Sequence, residues 1–90
     1  MDGRRLVAWN LRRHRVEQGL SQEKLAVDAQ IDRTYVSSLE RGLENPTVVV
    51  LDKLASALSI SIADLFRTPS RGERPPKPLV AGRRGKLKSQ

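Results

Sequence analysis

Along residues 1–66 the apolar positions recur at intervals of three and four, the spacing that gathers them on one face of a helix. Val7 and Leu11 share such a face with Arg15, and the pattern predicts a first helix over 3–18, ended by Gly19 in the left-handed position. Ser21 caps a second helix over 22–29, with Leu20 and Leu25 at the two positions of a hydrophobic staple. Asp32 caps a third over 33–41, stapled by Ile31 and Val36 and closed by Gly42. Thr47, after Pro46, caps a fourth over 48–58. Ser61 caps a short fifth over 62–66, stapled by Ile60 and Leu65, with Asp64 completing a capping-box variant. Val48, Val49 and Val50 favour strand by propensity alone. Leu51, Leu54, Ala55 and Leu58 keep the helical spacing after them, and no partner strand is legible, so helix prevails. The expected fold is all-α.

The pattern stops near Phe66. Residues 67–90 carry four of the five prolines and three of the six glycines, and only Leu79, Val80, Ala81 and Leu87 are apolar. Such a segment buries too little surface to offset its ordering entropy, so a domain at 1–66 and a disordered basic tail at 67–90 are expected. Charge follows the same boundary. The body balances nine Lys/Arg against nine Asp/Glu, while the tail sets eight Lys/Arg against Glu73 alone and supplies the whole net +7. A neutral body still binds a polyanion when its charges segregate by face, so total charge does not decide function.

Composition excludes several classes. The absence of cysteine removes disulfides, thiolate zinc sites and cysteine nucleophiles, and suits a reducing compartment. One histidine builds no zinc cluster, so no metal is expected. No apolar run approaches the ~18 residues of a bilayer span, and the N-terminus lacks a signal-peptide core, so a cytoplasmic protein without membrane contact is expected. No nucleophile–base constellation and no phosphate-binding glycine loop is present, which argues against an enzyme and against a cofactor.

Residues 22–41 read QEKLAVDAQIDRTYVSSLER: two short helices joined by a turn at Gln30, Ile31 and Asp32. A helix-turn-helix needs apolar residues on the facing sides and a small residue at the close approach. Leu25, Ala29, Ile31, Val36 and Leu39 fill the first requirement and Ala26 the second. The longer stretch LSQEKLA…IDRTYVSSLERG…NPTVVVLDKLASALSI…LF resembles the Cro/repressor type, or XRE, family of helix-turn-helix transcriptional regulators across most of residues 6–66. DRTYVSSLERG looks most like the stand-alone controllers, and a restriction–modification controller, a phage-type repressor and an antitoxin-like autoregulator all fit. The resemblance implies a five-helix, lambda-repressor-like domain whose third helix enters the major groove of double-stranded DNA.

The exposed face of the third helix also follows from geometry. With Val36, Leu39 and Glu40 inward, the opposite side carries Thr34, Ser37, Ser38 and Arg41, and Arg33 sits at the first turn. Arg33 is suited to guanine O6/N7, and Thr34 and Ser38 to smaller contacts, with Ser37 beside them; positions 33, 34 and 38 match the family's base-reading positions. Gln22 resembles the family's glutamine that bonds a phosphate and supports the third helix, and free N–H groups at that helix start would complete a phosphate clamp. Arg41, Asn45 and Thr47 match the loop that meets the DNA backbone. Tyr35 reads as a half-buried packing residue with its hydroxyl near a phosphate. Arg15 and Glu40 resemble a recurring structural ion pair between the first and third helices.

Departures from the family pattern fall at Gln30 and Ser59, where glycine is usual. A left-handed backbone there would cost on the order of 1 kcal/mol each. Lys24 stands where an acid is expected, and His14 where a leucine is common, which marks His14 as structural. Trp9 fits a surface helix residue and a partner contact equally. Ile60, Ile62, Leu65 and Phe66 offer apolar surface for pairing two copies, and a homodimer would read a pseudo-palindrome with half-sites about 34 Å apart. The alternative is a protein-interaction module whose basic tail adheres to nucleic acid without sequence preference.

Overall fold

A computed structural model describes residues 1–75; the tail expected over 76–90 lies outside the described residues. Four α-helices follow in order: α1 (Gly3–Glu17), α2 (Gln22–Ala29), α3 (Arg33–Glu40) and α4 (Val48–Ala57). Each starts where a side-chain oxygen meets a free backbone N–H. Ser21 accepts from Lys24 N at 3.0 Å, Asp32 from Thr34 N at 2.9 Å, and Thr47 from Val50 N at 3.1 Å. Asp2 does the same for α1, accepting from Arg5 N at 3.0 Å, which holds its carboxyl below the ordinary 3.8.

The fifth segment corrects the five-α-helix expectation. Ile62–Phe66 is a 3-10 helix, capped by Ser61 and boxed by Asp64, whose Oδ2 accepts from Ser61 N at 3.0 Å. Five residues close few i→i+4 bonds, and the tighter i→i+3 bond, Asp64 N to Ser61 O at 2.9 Å, takes their place. The valine run is helical, as the spacing required. Val48, Val49 and Val50 form the first turn of α4, where no preceding turn crowds their branched Cβ atoms.

Leu11, Leu25, Val36, Leu39, Leu54, Leu58 and Leu65 are fully buried and form the core, with Ala26 and Ala29 of α2 buried among them. The staple residues Leu20, Ile31 and Ile60 pack against it from the turns. All four α-helices end on a left-handed residue: Gly19 and Gly42 after α1 and α3, Gln30 and Ser59 after α2 and α4.

Chain beyond Phe66 does not leave the body at once. Asn10, wholly buried on α1, donates its amide Nδ2 to Leu6 O, Leu65 O and Arg67 O at 3.0, 3.1 and 2.8 Å. Glu73 then accepts from Ser70 N at 2.8 Å, pairs with Arg67 at 3.0 Å and lies 3.8 Å from Arg13 of α1. The Ser70 N–H, then the Arg67 guanidinium, hold the Glu73 carboxyl below its usual range. Arg67 and Glu73 thus meet α1, at Asn10 and Arg13.

Candidate nucleic-acid interface

The α2–turn–α3 unit is aimed by three polar side chains. Arg15 of α1 reaches Glu40 at the end of α3 through Nε (2.5 Å) and Nη2 (2.9 Å), and donates Nη1 to Leu20 O at 2.7 Å. Gln22, at the first position of α2, donates Nε2 to Glu40 Oε1 at 3.1 Å. The Arg15 and Glu40 side chains are only 8% and 4% exposed. Such a pair adds little net stability over an apolar substitute but fixes direction, because each partner left alone would be a buried charge. α3 is thereby locked to both α1 and α2.

On the locked helix, Val36 and Leu39 face the core, while Arg33 and Thr34 are exposed and Ser37 and Ser38 half-buried on the outer side. Arg33 makes no ion pair among the described residues. Thr34 is engaged: Asp32 Oδ1 accepts from its backbone N–H and, at 2.8 Å, from its hydroxyl. Those two bonds hold Asp32 below its ordinary 3.8. The Thr34 oxygen keeps its lone pairs, so it is placed to accept rather than donate. Tyr35 is half-buried against the core. Arg41, Asn45 and Thr47 are exposed along the segment after α3, with Thr47 also serving as the α4 cap. One edge thus presents short polar side chains and unpaired guanidinium groups, with no carboxylate among the residues expected to contact DNA.

The helix-turn-helix family profile matches residues 11–65, which hold this unit and the elements packed on it. The chain belongs to the XRE-type helix-turn-helix family of DNA-binding transcriptional regulators. It is 48% identical over 70 residues to an uncharacterized HTH-type transcriptional regulator of Sinorhizobium fredii, spanning 78% of this chain and 90% of that protein. The restriction-modification controller protein C.AhdI of Aeromonas hydrophila superposes with a TM-score of 0.68 at 43% identity, covering 70% of this chain and 96% of the controller. The controller C.Esp1396I, solved as a tetramer in complex with its natural 35 base-pair operator, superposes with a TM-score of 0.67 at 32% identity, over 73% and 87% of the two chains.

Against this XRE-type frame, the residues expected to pair two copies divide. Leu65 is fully buried, and Ile60 and Ile62 pack partly onto the core. Leu65 is therefore corrected from an interface residue to a core residue: the 3-10 helix spends it in closing α1 and α4. Phe66 stays 45% exposed and, with Val48 at 67%, borders an open cavity of about 480 Å³ that Val7, Pro46 and Leu51 also line. His14 is half-buried; burial first, then Arg13, pushes its pKa below 6.5, and Arg13 Nη2 lies 3.3 Å from its Nε2.

Sequence reasoning missed Asn10 and Gln18. Gln18 donates Nε2 to Leu58 O at 2.7 Å, joining the ends of α1 and α4. Asn10 had a legible signal, a polar residue between Val7 and Leu11 on the apolar face of a helix. No helix among the described residues is long and apolar enough to cross a membrane.

Proposed function

We propose that this chain binds double-stranded DNA sequence-specifically as a homodimer and regulates transcription, reading the major groove with α3. The observation that carries the reading is the split face of α3: Val36 and Leu39 buried, Arg33, Thr34, Ser37 and Ser38 outward, all held by the Arg15–Glu40–Gln22 network. Arg33 takes guanine O6/N7 in a bidentate contact, and Thr34, Ser37 and Ser38 make the shorter contacts. Gln22, Tyr35, Arg41, Asn45 and Thr47 meet phosphates on either side and set register rather than sequence. Support comes from C.Esp1396I, the similar controller solved on its operator. Pairing uses Phe66 and Val48, with the free parts of Ile60 and Ile62. The unit responds to its own concentration or to a partner protein, in the manner of a controller or autoregulator.

The test is recovery of fragmented genomic DNA on the full chain, compared with a variant carrying glutamine at Lys77, Arg83, Arg84, Lys86 and Lys88. A palindrome-like motif recovered by both supports the reading and its dimer. Motif-free recovery that vanishes with the tail charges would instead favour an interaction module with a non-specific tail.

A further inference from the structure

Between the first half of α1 and the end of α3 lies an open cavity of about 350 Å³, lined by Arg5, Trp9, Glu40, Arg41 and Gly42 among others. Arg5 and Arg41 are exposed and make no ion pair among the described residues. Residues 76–90 contain no Asp or Glu side chain that would supply one. The acid on the wall, Glu40, is already committed, one oxygen to Arg15 Nε and the other to Arg15 Nη2 and Gln22 Nε2. Trp9 forms one wall of the hollow. Two guanidiniums without an ion-pair partner among the described residues, set on one hollow, ask for an anion with several acceptor oxygens.

We propose that this hollow binds one phosphodiester of the DNA backbone, gripped by Arg5 and Arg41 beside the wall that Trp9 forms, so that α1 joins α2 and α3 in the DNA contact. The inference rests on the proposed reading of α3. It commits to backbone phosphate because Arg41 follows α3 directly, and a helix lying in the major groove has strand backbone beside it. Its contribution is independent of base sequence. It also gives Arg5 a use that the α2–α3 contact leaves unassigned.

The experiment measures affinity of the full chain against salt concentration, on the recovered operator and on a random duplex, for Arg5→Ala, Arg5→Lys and Arg33→Ala. Arg5→Ala should lower the slope of log affinity on log salt by about 0.9 per protomer and weaken both duplexes by the same factor. Arg5→Lys should restore the slope. Urea melts report whether each variant folds as the parent does. Arg5→Ala with the parental slope overturns the proposal. Without DNA, inorganic phosphate at constant ionic strength should raise the urea midpoint of the parent no more than that of Arg5→Ala; an Arg5-dependent rise together with equal duplex affinities for the two proteins would assign the hollow to free phosphate and overturn the DNA assignment. Failure of the α3 reading looks different: no duplex is preferred, Arg33→Ala binds like the parent, and the Arg5 slope remains readable on random DNA.

Discussion

α1 carries two buried polar residues, and they serve different halves of the molecule. Arg15, toward its C-terminal end, is charged and binds Glu40, which Gln22 also holds, so three helices are tied at one point. Asn10, nearer the middle, is neutral and binds backbone carbonyls of the 3-10 helix and Arg67, leaving its own Oδ1 without a partner among the described residues. The first arrangement sets the direction of a helix that must be aimed. The second holds a chain end against the body, which needs attachment more than direction. A buried charge costs more to strand than a buried amide, so the half of the domain that carries the recognition face is the half held by the more exacting contact.

The largest expected effect tests the first of these residues. Arg15→Ala strands Glu40 in a 4%-exposed position and should lower unfolding stability by about 3–5 kcal/mol, read from urea melts. Asn10→Ala leaves Leu65 O and Arg67 O without their donor and should cost less, about 1–3 kcal/mol. A larger loss from Asn10 than from Arg15 would reverse the comparison.

Both halves were partly legible before the fold was known. The caps at Ser21, Asp32, Thr47 and Ser61, and the Arg15–Glu40 pair, are local or carried by a strong family pattern. Asn10 stood out as a polar residue on an apolar face, but what it binds was not legible, because its partners lie 55 and 57 residues along the chain and are backbone carbonyls, which every sequence possesses. Leu65 was misplaced for the same reason. A count of apolar residues near the 3-10 helix showed a surplus, and only the packing of that helix on α1 and α4 shows that Leu65 is used inside.

A smaller effect compares the two halves directly. Gln30, in the α2–α3 turn, and Ser59, before the 3-10 helix, have φ of +59° and +57°. The left-handed strain exceeds the extra freedom glycine gives the unfolded chain, so Gln30→Gly and Ser59→Gly should each stabilise by about 0.5–1 kcal/mol in thermal melts. Unequal gains would show which half accommodates the strain better.

The smallest effect is a pH dependence. His14 has a folded pKa below the 6.5 of the unfolded chain, so above that value it is neutral in both states and its contribution is complete. As pH falls from 6.5 through the folded value, the unfolded chain takes up the proton first and stability declines. His14→Leu should flatten that decline in urea melts taken at stepped pH.

The central claim, that the outer face of α3 reads bases, is tested most directly by titrating Arg33→Ala against the recovered operator and a scrambled duplex of equal length. Loss of about 1–3 kcal/mol of preference for the operator, with binding to the scrambled duplex nearly unchanged, is the expected result. An undiminished preference for the operator would contradict it.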